Sequence, residues 1–438
     1  MIRLFRLLMP SGVMPLMLIE LGLIGGCFYA AQYWESGLDP AIYFLYEGGA
    51  GRLALVLGTI VFANYFNDLY SRTEVRSRLF LLQQLCAVFG IALIVQSLTA
   101  YFSEDWMLPK WVMLAGCAMA LPLVFGWRVL YGLLRQRVRA TPRILFVGAN
   151  QVVREIVDEV ASNSESSVAG YLLEDPSRMP GGAPVLGSVG DVAAVVAAEK
   201  PSRIILGLND RRGQMPVSDL LTLRFAGIPV EESSMAYERI CRRICLRELQ
   251  PTRLIFRGEF DGKTSGWLGQ LAGRTVGVLL FAMSLPAILV LAFGLRPDSP
   301  EKILVRHPSL GRTGRGFSRL RFRVSPQTAF KRFCLRHHLD ALPELWNVVL
   351  GQMALVGPRA ESPEFAGVLQ SRLPAYDFRH NVRPGMTGWA QINIPPDRAN
   401  DALRSLEYDL YYIKHMSASL NAYILMQTLK RKLFPTEA

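Results

Sequence analysis

"AGRTVGVLLFAMSLPAILVLAFGLR", residues 272–296, is an apolar run with an arginine near each end and a proline near its middle. About 20 apolar residues suffice to cross a bilayer as a helix. The segment that follows is thick with arginine, and a plain crossing would carry it outside, against the bias that keeps Lys and Arg in the cytoplasm. Pro286 removes a helix hydrogen bond and predicts a kink, while the Ser284 hydroxyl can help satisfy the freed backbone. A helix that enters the bilayer, bends at Pro286 and returns to the cytoplasmic face meets both facts. The competing reading is a fifth ordinary span, because charge bias sets orientation only statistically.

Upstream, the first 140 residues hold four more apolar runs, roughly 13–34, 51–67, 79–101 and 111–131. The segments around them alternate in charge. Arg3 and Arg6 precede the first run, and Glu35, Asp39 and Glu47 follow it. Arg72, Arg76 and Arg78 follow the second, Glu104 and Asp105 the third, and Arg128, Arg135, Arg137 and Arg139 close the fourth. This predicts a four-helix transmembrane bundle over residues 1–140 with both ends in the cytoplasm. The first run is too long, and lacks the small-residue cleavage site, for a removable signal peptide.

The whole composition agrees. Of 438 residues, 51% are hydrophobic, which is high for a soluble protein, and the length allows two or three domains. The formal charge of +12 is carried largely by arginines that flank apolar runs or lie in the last third. Such charge suits anionic lipid headgroups and phosphorylated substrates. No nucleic-acid recognition motif is present, and nucleic acid is not an expected partner. Of six cysteines, Cys27, Cys86 and Cys117 lie in apolar runs and Cys334 stands alone. Cys241 and Cys245, in "CRRIC", share a helix face; with only two ligands visible, packing is the expectation over metal binding, and all six read as reduced thiols.

Residues 141–250 change character. "RILFVGAN" (143–150) is a buried-strand pattern ending in Gly148, followed by the helical "QVVREIVDEVAS". "PSRIILGL" (201–208) and "IPVEE" (228–232) read as further strands. Strand–helix alternation predicts a small parallel, Rossmann-like α/β domain. Its first turn has one Gly, not the G-x-G-x-x-G that admits a pyrophosphate, so a structural or regulatory role is expected over dinucleotide binding. A linker spans 251–271, and residues 272–438 form the last domain.

That domain is rich in cation. "LGRTGRGFSRLRFR" (310–323) has Gly at 311, 314 and 316 and Arg at 312, 315, 319, 321 and 323. Gly lets backbone amides approach an anion and Arg binds phosphate bidentately; a basic hairpin resting on lipid phosphates fits equally. "VGPRAESPEF" (356–365) sets Arg359 after a rigid turn, and "RHNVRPGMTGWAQIN" (379–393) adds Arg379 and Arg383. The C-terminal "LEYDLYYIKHMSASLNAYILMQTLKRKLF" reads as an amphipathic helix pair. Charge and spacing alone describe a membrane-attached domain that binds phosphorylated ligands, with Arg312, Arg315, Arg359 and Arg383 as the candidate phosphate contacts.

Four motifs carry a resemblance: "LDALPELWNVVLGQMALVGPR", "RPGMTGWAQIN", "YDLYYIKHMS" and the kinked "SLP" helix. Together they resemble the bacterial sugar transferases that start exopolysaccharide assembly, the large monotopic phosphoglycosyl transferases, with the exosortase-associated type nearest. The likeness covers essentially the whole chain, and it implies a mainly α monotopic catalytic domain with a re-entrant helix in the bacterial inner membrane, its soluble domains cytoplasmic. It implies that an Asp attacks the β-phosphorus of a UDP-sugar, that UMP leaves, and that a polyprenyl (undecaprenyl) phosphate then takes the sugar phosphate, with Mg²⁺ assisting. Membrane lipids are implied partners, and a homo-oligomer is compatible with the family.

By position, Asp340 matches the family's nucleophile. Where the family has a metal-binding Glu, this chain has Ala341; its Pro-Arg-Pro reads Pro358-Arg359-Ala360, its basic-acidic motif before the re-entrant helix reads "GRTVG" (273–277), and its usual Gln is Glu344. Two readings follow. One is an active transferase whose Mg²⁺ is held by Asp340 and Glu344. The other is a catalytically impaired paralogue or variant that binds or scaffolds. The plainer reading of Asp340 is an N-cap for the helix "ALPELWNVVL".

Overall fold

A computed structural model of the chain describes residues 13–37, 39–67, 69–70, 78–138, 142–162, 167–173, 184–208, 215–248, 267–295, 303–324, 328–373, 375–395 and 401–433. Arg3, Arg6, Arg72, Arg76, Arg139, Arg296 and most of the expected linker lie outside these residues. The fold divides into two compact units, residues 1–140 and 141–438.

The first unit is helical, with α1 (Val13–Ser36), α2 (Pro40–Tyr46), α3 (Gly49–Phe66), α4 (Arg78–Phe102) and α5 (Lys110–Val138). All but α2 are long and apolar enough to cross a membrane. The short α2 lies in the acidic segment between the first two apolar runs; Pro40 pre-sets its first turn and the Asp39 carboxylate accepts from the Ala41 N–H at 2.9 Å. The core of the unit is Phe28, Val56, Ile60, Leu85, Val88, Val112 and Ala120. At Gly116 a Cβ would come within 2.6 Å of the Phe28 ring, so the small residue lets α1 and α5 close on each other.

Inside this core is an ion pair. Arg128 donates from Nε to Glu20 Oε1 at 2.6 Å and from Nη2 to Oε2 at 2.9 Å, with both side chains buried. Its Nη1 donates to the Leu69 carbonyl at 3.0 Å, and the guanidinium lies 5.4 Å from the centre of the Tyr70 ring. Arg128 was counted above among the charges closing the fourth run; instead it spends its charge inside the bundle.

In the second unit the α/β part is a five-stranded parallel sheet of order β3-β2-β1-β4-β5. Its strands are β1 (Arg143–Val147), β2 (Ser167–Leu172), β3 (Val185–Gly187), β4 (Arg203–Leu206) and β5 (Val230–Glu232). Its helices are α6 (Gln151–Ser162), α7 (Val192–Glu199), α8 (Val217–Phe225) and α9 (Ser233–Cys241). Gly148, with φ +91°, turns the chain where a Cβ would lie 2.6 Å from the Gly207 carbonyl oxygen, so the ends of β1 and β4 meet only over glycine. Cys241 and Cys245 are buried in the core beside this sheet, and burial pushes their thiols up to about 12 and about 11, respectively. Those thiols stay protonated and inert.

The rest of the unit begins with the long α10 (Trp267–Gly294). Then come the antiparallel hairpin β6 (Leu304–Leu310) and β7 (Gly316–Phe322), α11 (Ala329–Arg336), α12 (Glu344–Val349), β8 (Ala354–Val356) and α13 (Pro363–Arg372). The chain closes with β9 (Gly385–Thr387), parallel to β8, and α14 (Trp389–Asn393), α15 (Ala402–His415) and α16 (Ala418–Leu433). "CRRIC" ties the two halves of this unit together. Arg243 reaches Glu155 of α6 at 2.9 Å and Glu407 of α15 at 3.3 Å. The Ile244 N–H donates to the Glu407 carbonyl, and Trp389 Nε1 donates to the Arg242 carbonyl, both at 3.0 Å.

Along α10 the covered positions are Gly277, Phe281, Ser284, Ile288, Leu291 and Leu295, spaced by threes and fours. That stripe runs past Pro286 without interruption. Gly277 abuts Val348, the Phe281 and Trp346 rings are 5.4 Å apart, and Leu291 and Leu295 share a core with Phe322 and Cys334. Arg274 Nε donates to the Val349 carbonyl at 3.0 Å. The opposite side, including Leu279, Met283, Leu289, Val290 and Phe293, is exposed. Ser284 Oγ donates to the Phe281 carbonyl at 3.0 Å, one residue before the Ala282 carbonyl that Pro286 leaves without its helical donor.

Breaking the buried pair should be costly because it strands a charge in the bundle. Arg128→Ala should destabilise the detergent-solubilised protein by about 3–5 kcal/mol, and the double replacement Glu20→Leu/Arg128→Leu should recover most of that loss. Thermal unfolding of the two variants checks it; an Arg128→Ala protein as stable as the parent would contradict the account.

Candidate functional site

The site is assembled around the short α12. Upstream, Thr328 caps amphipathic α11, its hydroxyl accepting from the Lys331 N–H at 3.2 Å. The chain then reverses at His338, a non-glycine residue at φ +53°, into the single turn Leu339–Ala341. Strain of this kind persists where surrounding contacts over-determine it. His338 stands at the cap of that turn and Pro343 at the cap of α12, neither with a side-chain cap bond. The Asp340 carboxylate therefore does not serve as the N-cap suggested by the plainer reading. Only 9% of Asp340 is exposed, and its Oδ2 lies 3.5 Å from Arg321 Nη1.

Arg321 reaches two carboxylates. Its Nε also pairs closely with Glu344 Oε1, and Arg319 Nε lies 3.7 Å from the same oxygen. Alternation along β7 puts residues 319 and 321 on one face. Asn347 then fixes the strand against α12. Its Nδ2 donates to the Ser318 carbonyl at 2.8 Å, and its Oδ1 accepts from the Leu320 N–H at 3.1 Å. Glu344 and Asn347 are three residues apart and share a helix face, so the bond that registers the strand also presents its arginines to the carboxylate. Burial and the Lys432 charge push His338 below the usual histidine range, against the pull of Asp340, which leaves a neutral imidazole at pH 7. Burial likewise pushes the Lys432 amine down while Glu344 and Asp340 draw it back up.

The expected phosphate contacts divide. Arg312 and Arg315 are exposed around the hairpin tip, where Thr313 and Gly314 take φ +59° and +71°. Arg383 is pushed down by burial and by the charges of Arg312 and Arg274, so these three form one cationic group. Arg359 is exposed, and its charge lowers both Arg319 and His338. Arg379, also singled out by its motif, is consumed inside the fold: it donates to Asp409 at 2.9 Å and to the Arg359 carbonyl at 3.0 Å. The reading above missed Arg321, His338 and Lys432 as the neighbours of Asp340, and Arg319 as that of Glu344. The two-residue spacing of Arg319 and Arg321 in a strand was the available signal.

The motif glycines have a packing reason. A Cβ on Gly385 would sit 2.1 Å from the Gly357 nitrogen, and one on Gly388 would sit 2.2 Å from the Gly357 oxygen. "VGPR" and "RPGMTGW" thus cross backbone to backbone, which aims Arg359 and Arg383 from one seam.

A divalent ion such as Mg²⁺ takes oxygen ligands, usually one or two carboxylates with waters. Here the residue after Asp340 offers only a methyl group, and Glu344, 2% exposed, is already engaged by two guanidinium groups. Among the described residues no group of three or more His, Cys, Asp or Glu is placed to hold a metal. As arranged, these donors do not fit a divalent cation.

Comparison with known proteins adds a family. Residues 266–435 match the bacterial sugar transferase family. An undecaprenyl-phosphate glucose phosphotransferase of Komagataeibacter xylinus is 34% identical over 188 residues, 37% of this chain and 35% of that protein. A UDP-glucose:undecaprenyl-phosphate glucose-1-phosphate transferase of Xanthomonas campestris pv. campestris is 30% identical over 37% of this chain and 38% of its own length. The chain thus spans well under half the length of these two relatives. Exopolysaccharide production protein PSS of Rhizobium leguminosarum bv. phaseoli is 31% identical over 172 residues, 34% of this chain but 86% of that protein. The match falls on the segment that carries α10, the hairpin and α12, and on that ground the chain belongs to the bacterial sugar transferase family.

Proposed function

We propose that this protein transfers a sugar 1-phosphate from a UDP-sugar to a polyprenyl phosphate at the cytoplasmic face of a bacterial inner membrane. The observation that carries the proposal is the Asp340 carboxylate, nearly buried and set by Arg321 and Lys432 beside a helix whose outer face is apolar. In this reading an Asp340 oxygen attacks the β-phosphorus of the UDP-sugar. The bond from that phosphorus to the bridging oxygen breaks, and UMP leaves with the electron pair. A phosphate oxygen of the lipid then attacks the phosphorus of the phosphosugar–enzyme, and Asp340 is released as a carboxylate. Splitting one displacement into two lowers each barrier. Like charges about 4 Å apart repel by roughly 4 kcal/mol at an effective dielectric of 20, so a carboxylate can meet a diphosphate only where cations offset both.

The membrane part of the proposal is a re-entrant α10. Arg274 near its start and Leu295 at its end both rest on the same charged domain. A helix anchored at both ends to a domain on one side of the bilayer is held to that side, with its exposed apolar face in lipid. This brings a soluble nucleotide sugar and a lipid phosphate to one surface. A second reading, a binding or scaffolding relative, is favoured by one observation: Glu344 and Asp340 are already neutralised by protein cations.

Three outcomes are expected. In a membrane preparation given UDP-glucose and undecaprenyl phosphate, Asp340→Asn should abolish UMP release while melting like the parent; turnover that survives the substitution ends the nucleophile assignment. Arg359→Ala should weaken UDP-glucose binding by about tenfold or more, the scale of a charge-assisted hydrogen bond, and titration of the purified variant measures it. For topology, Glu364→Cys, introduced with the exposed native Cys86 replaced by Ala, should resist an impermeant maleimide in intact cells, and labelling from outside would contradict the re-entrant helix.

A further inference from the structure

We propose that Arg321 occupies the electrostatic role of a divalent cation beside Asp340, so that this site engages a diphosphate ligand without bound metal. The proposal rests on the reading of Asp340 as the reacting carboxylate, but its cation test does not. Arg321 bridges the two carboxylates nearest the site, with Nη1 at 3.5 Å from Asp340 and Nε paired to Glu344. A metal ion placed between the same oxygens would have to displace that guanidinium or sit against it. The Ala341 side chain supplies no oxygen, and Arg319 stands 3.7 Å from Glu344 to resist a second cation.

The arginine is also fixed in the way a bound ion would be. Asn347 satisfies the β7 backbone at Ser318 and Leu320, and this sets the strand register that turns 319 and 321 toward α12. Glu344 is nearly inaccessible, so it is no entry point for ligand; its part is to anchor Arg321. Arg321 itself is about one-third exposed, leaving part of the guanidinium open toward Asp340 and an approaching phosphate. Arg321 is a positioning and charge-compensating residue, held by Glu344 and facing Asp340.

The test uses the full chain in lipid nanodiscs with MnCl₂ and UDP-glucose as probes. Manganese binding is read by electron paramagnetic resonance, ligand affinity by titration, and chemistry by UMP release. The parent should show no Mn²⁺ site that Asp340→Asn removes, and its UDP-glucose affinity should change less than about twofold between EDTA and Mg²⁺, below what one charge-assisted contact is worth. Arg321→Met should lose about tenfold or more in affinity in EDTA. Mg²⁺ should restore part of that loss, and Arg321→Lys should retain more than the Met variant; a merely structural role for Arg321 predicts neither effect. Melting curves separate misfolding from loss of charge, and if Arg321→Met is unfolded the Lys variant and the parent's Mn²⁺ measurement decide. A Mn²⁺ site lost in Asp340→Asn, or UMP release from the parent only with Mg²⁺, overturns the proposal and leaves the transferase reading standing. No UMP release under any condition, with UDP-glucose bound equally in EDTA and Mg²⁺, ends the transferase reading and supports the substitution of cation by arginine.

Discussion

The six residues of α12 face two environments at once. Glu344 and Asn347 point to β7, one binding its arginines and the other its backbone. Trp346, Val348 and the Val349 carbonyl meet α10 through Phe281, Gly277 and Arg274. A helix this short has no independent stability and forms because packing on both sides holds it. The apolar helix α10 and the cationic strand are therefore registered to each other through less than two turns of backbone. Moving either would unseat Asp340, which enters α12 through only three intervening residues.

The seam of Gly357, Gly385 and Gly388 plays the matching part on the other flank. The two loops approach closer than any side chain would permit, and β8 and β9 pair beside them. Arg379, Asp409 and Tyr376 lock the seam from beneath. Burial pushes the Asp409 carboxyl up to about 6, and the Arg379 guanidinium pulls against that shift. The exposed arginines are thus carried on a buried and internally neutralised support.

Much of this was legible in the sequence. The apolar runs lie on α1, α3, α4, α5 and α10, and the strand patterns around Phe146, Ile205 and Val230 lie on β1, β4 and β5. β2 and β3 escaped because "SVAGYL" carries a glycine in mid-strand and β3 is three residues long, so neither has the branched alternation that marks a strand. The short α2 escaped because an acid and a proline read as a loop until the aspartate is seen to cap a turn. Within the site, Asp340 could be singled out but its neighbours could not. Five arginines in fourteen residues look alike in a string; which of them meet carboxylates depends on a hairpin register set by Asn347, twenty-odd residues away. Arg128 misled for the converse reason, since burial with Glu20 is a tertiary fact, as is that of Arg379 with Asp409.

The "CRRIC" clamp makes the last domain lean on a companion. The PSS protein of Rhizobium leguminosarum is scarcely longer than the segment it shares with this chain. Residues 266–435, which match the family, hand the Trp389 indole N–H to the Arg242 carbonyl and lean the Glu407 carboxylate on Arg243. Both partners come from outside that segment. Cut to those residues alone, this chain would bare an indole and leave a buried acid without its cation, so its last domain depends on the α/β portion. Any companion put in its place would have to offer a carbonyl and a guanidinium at the same two points.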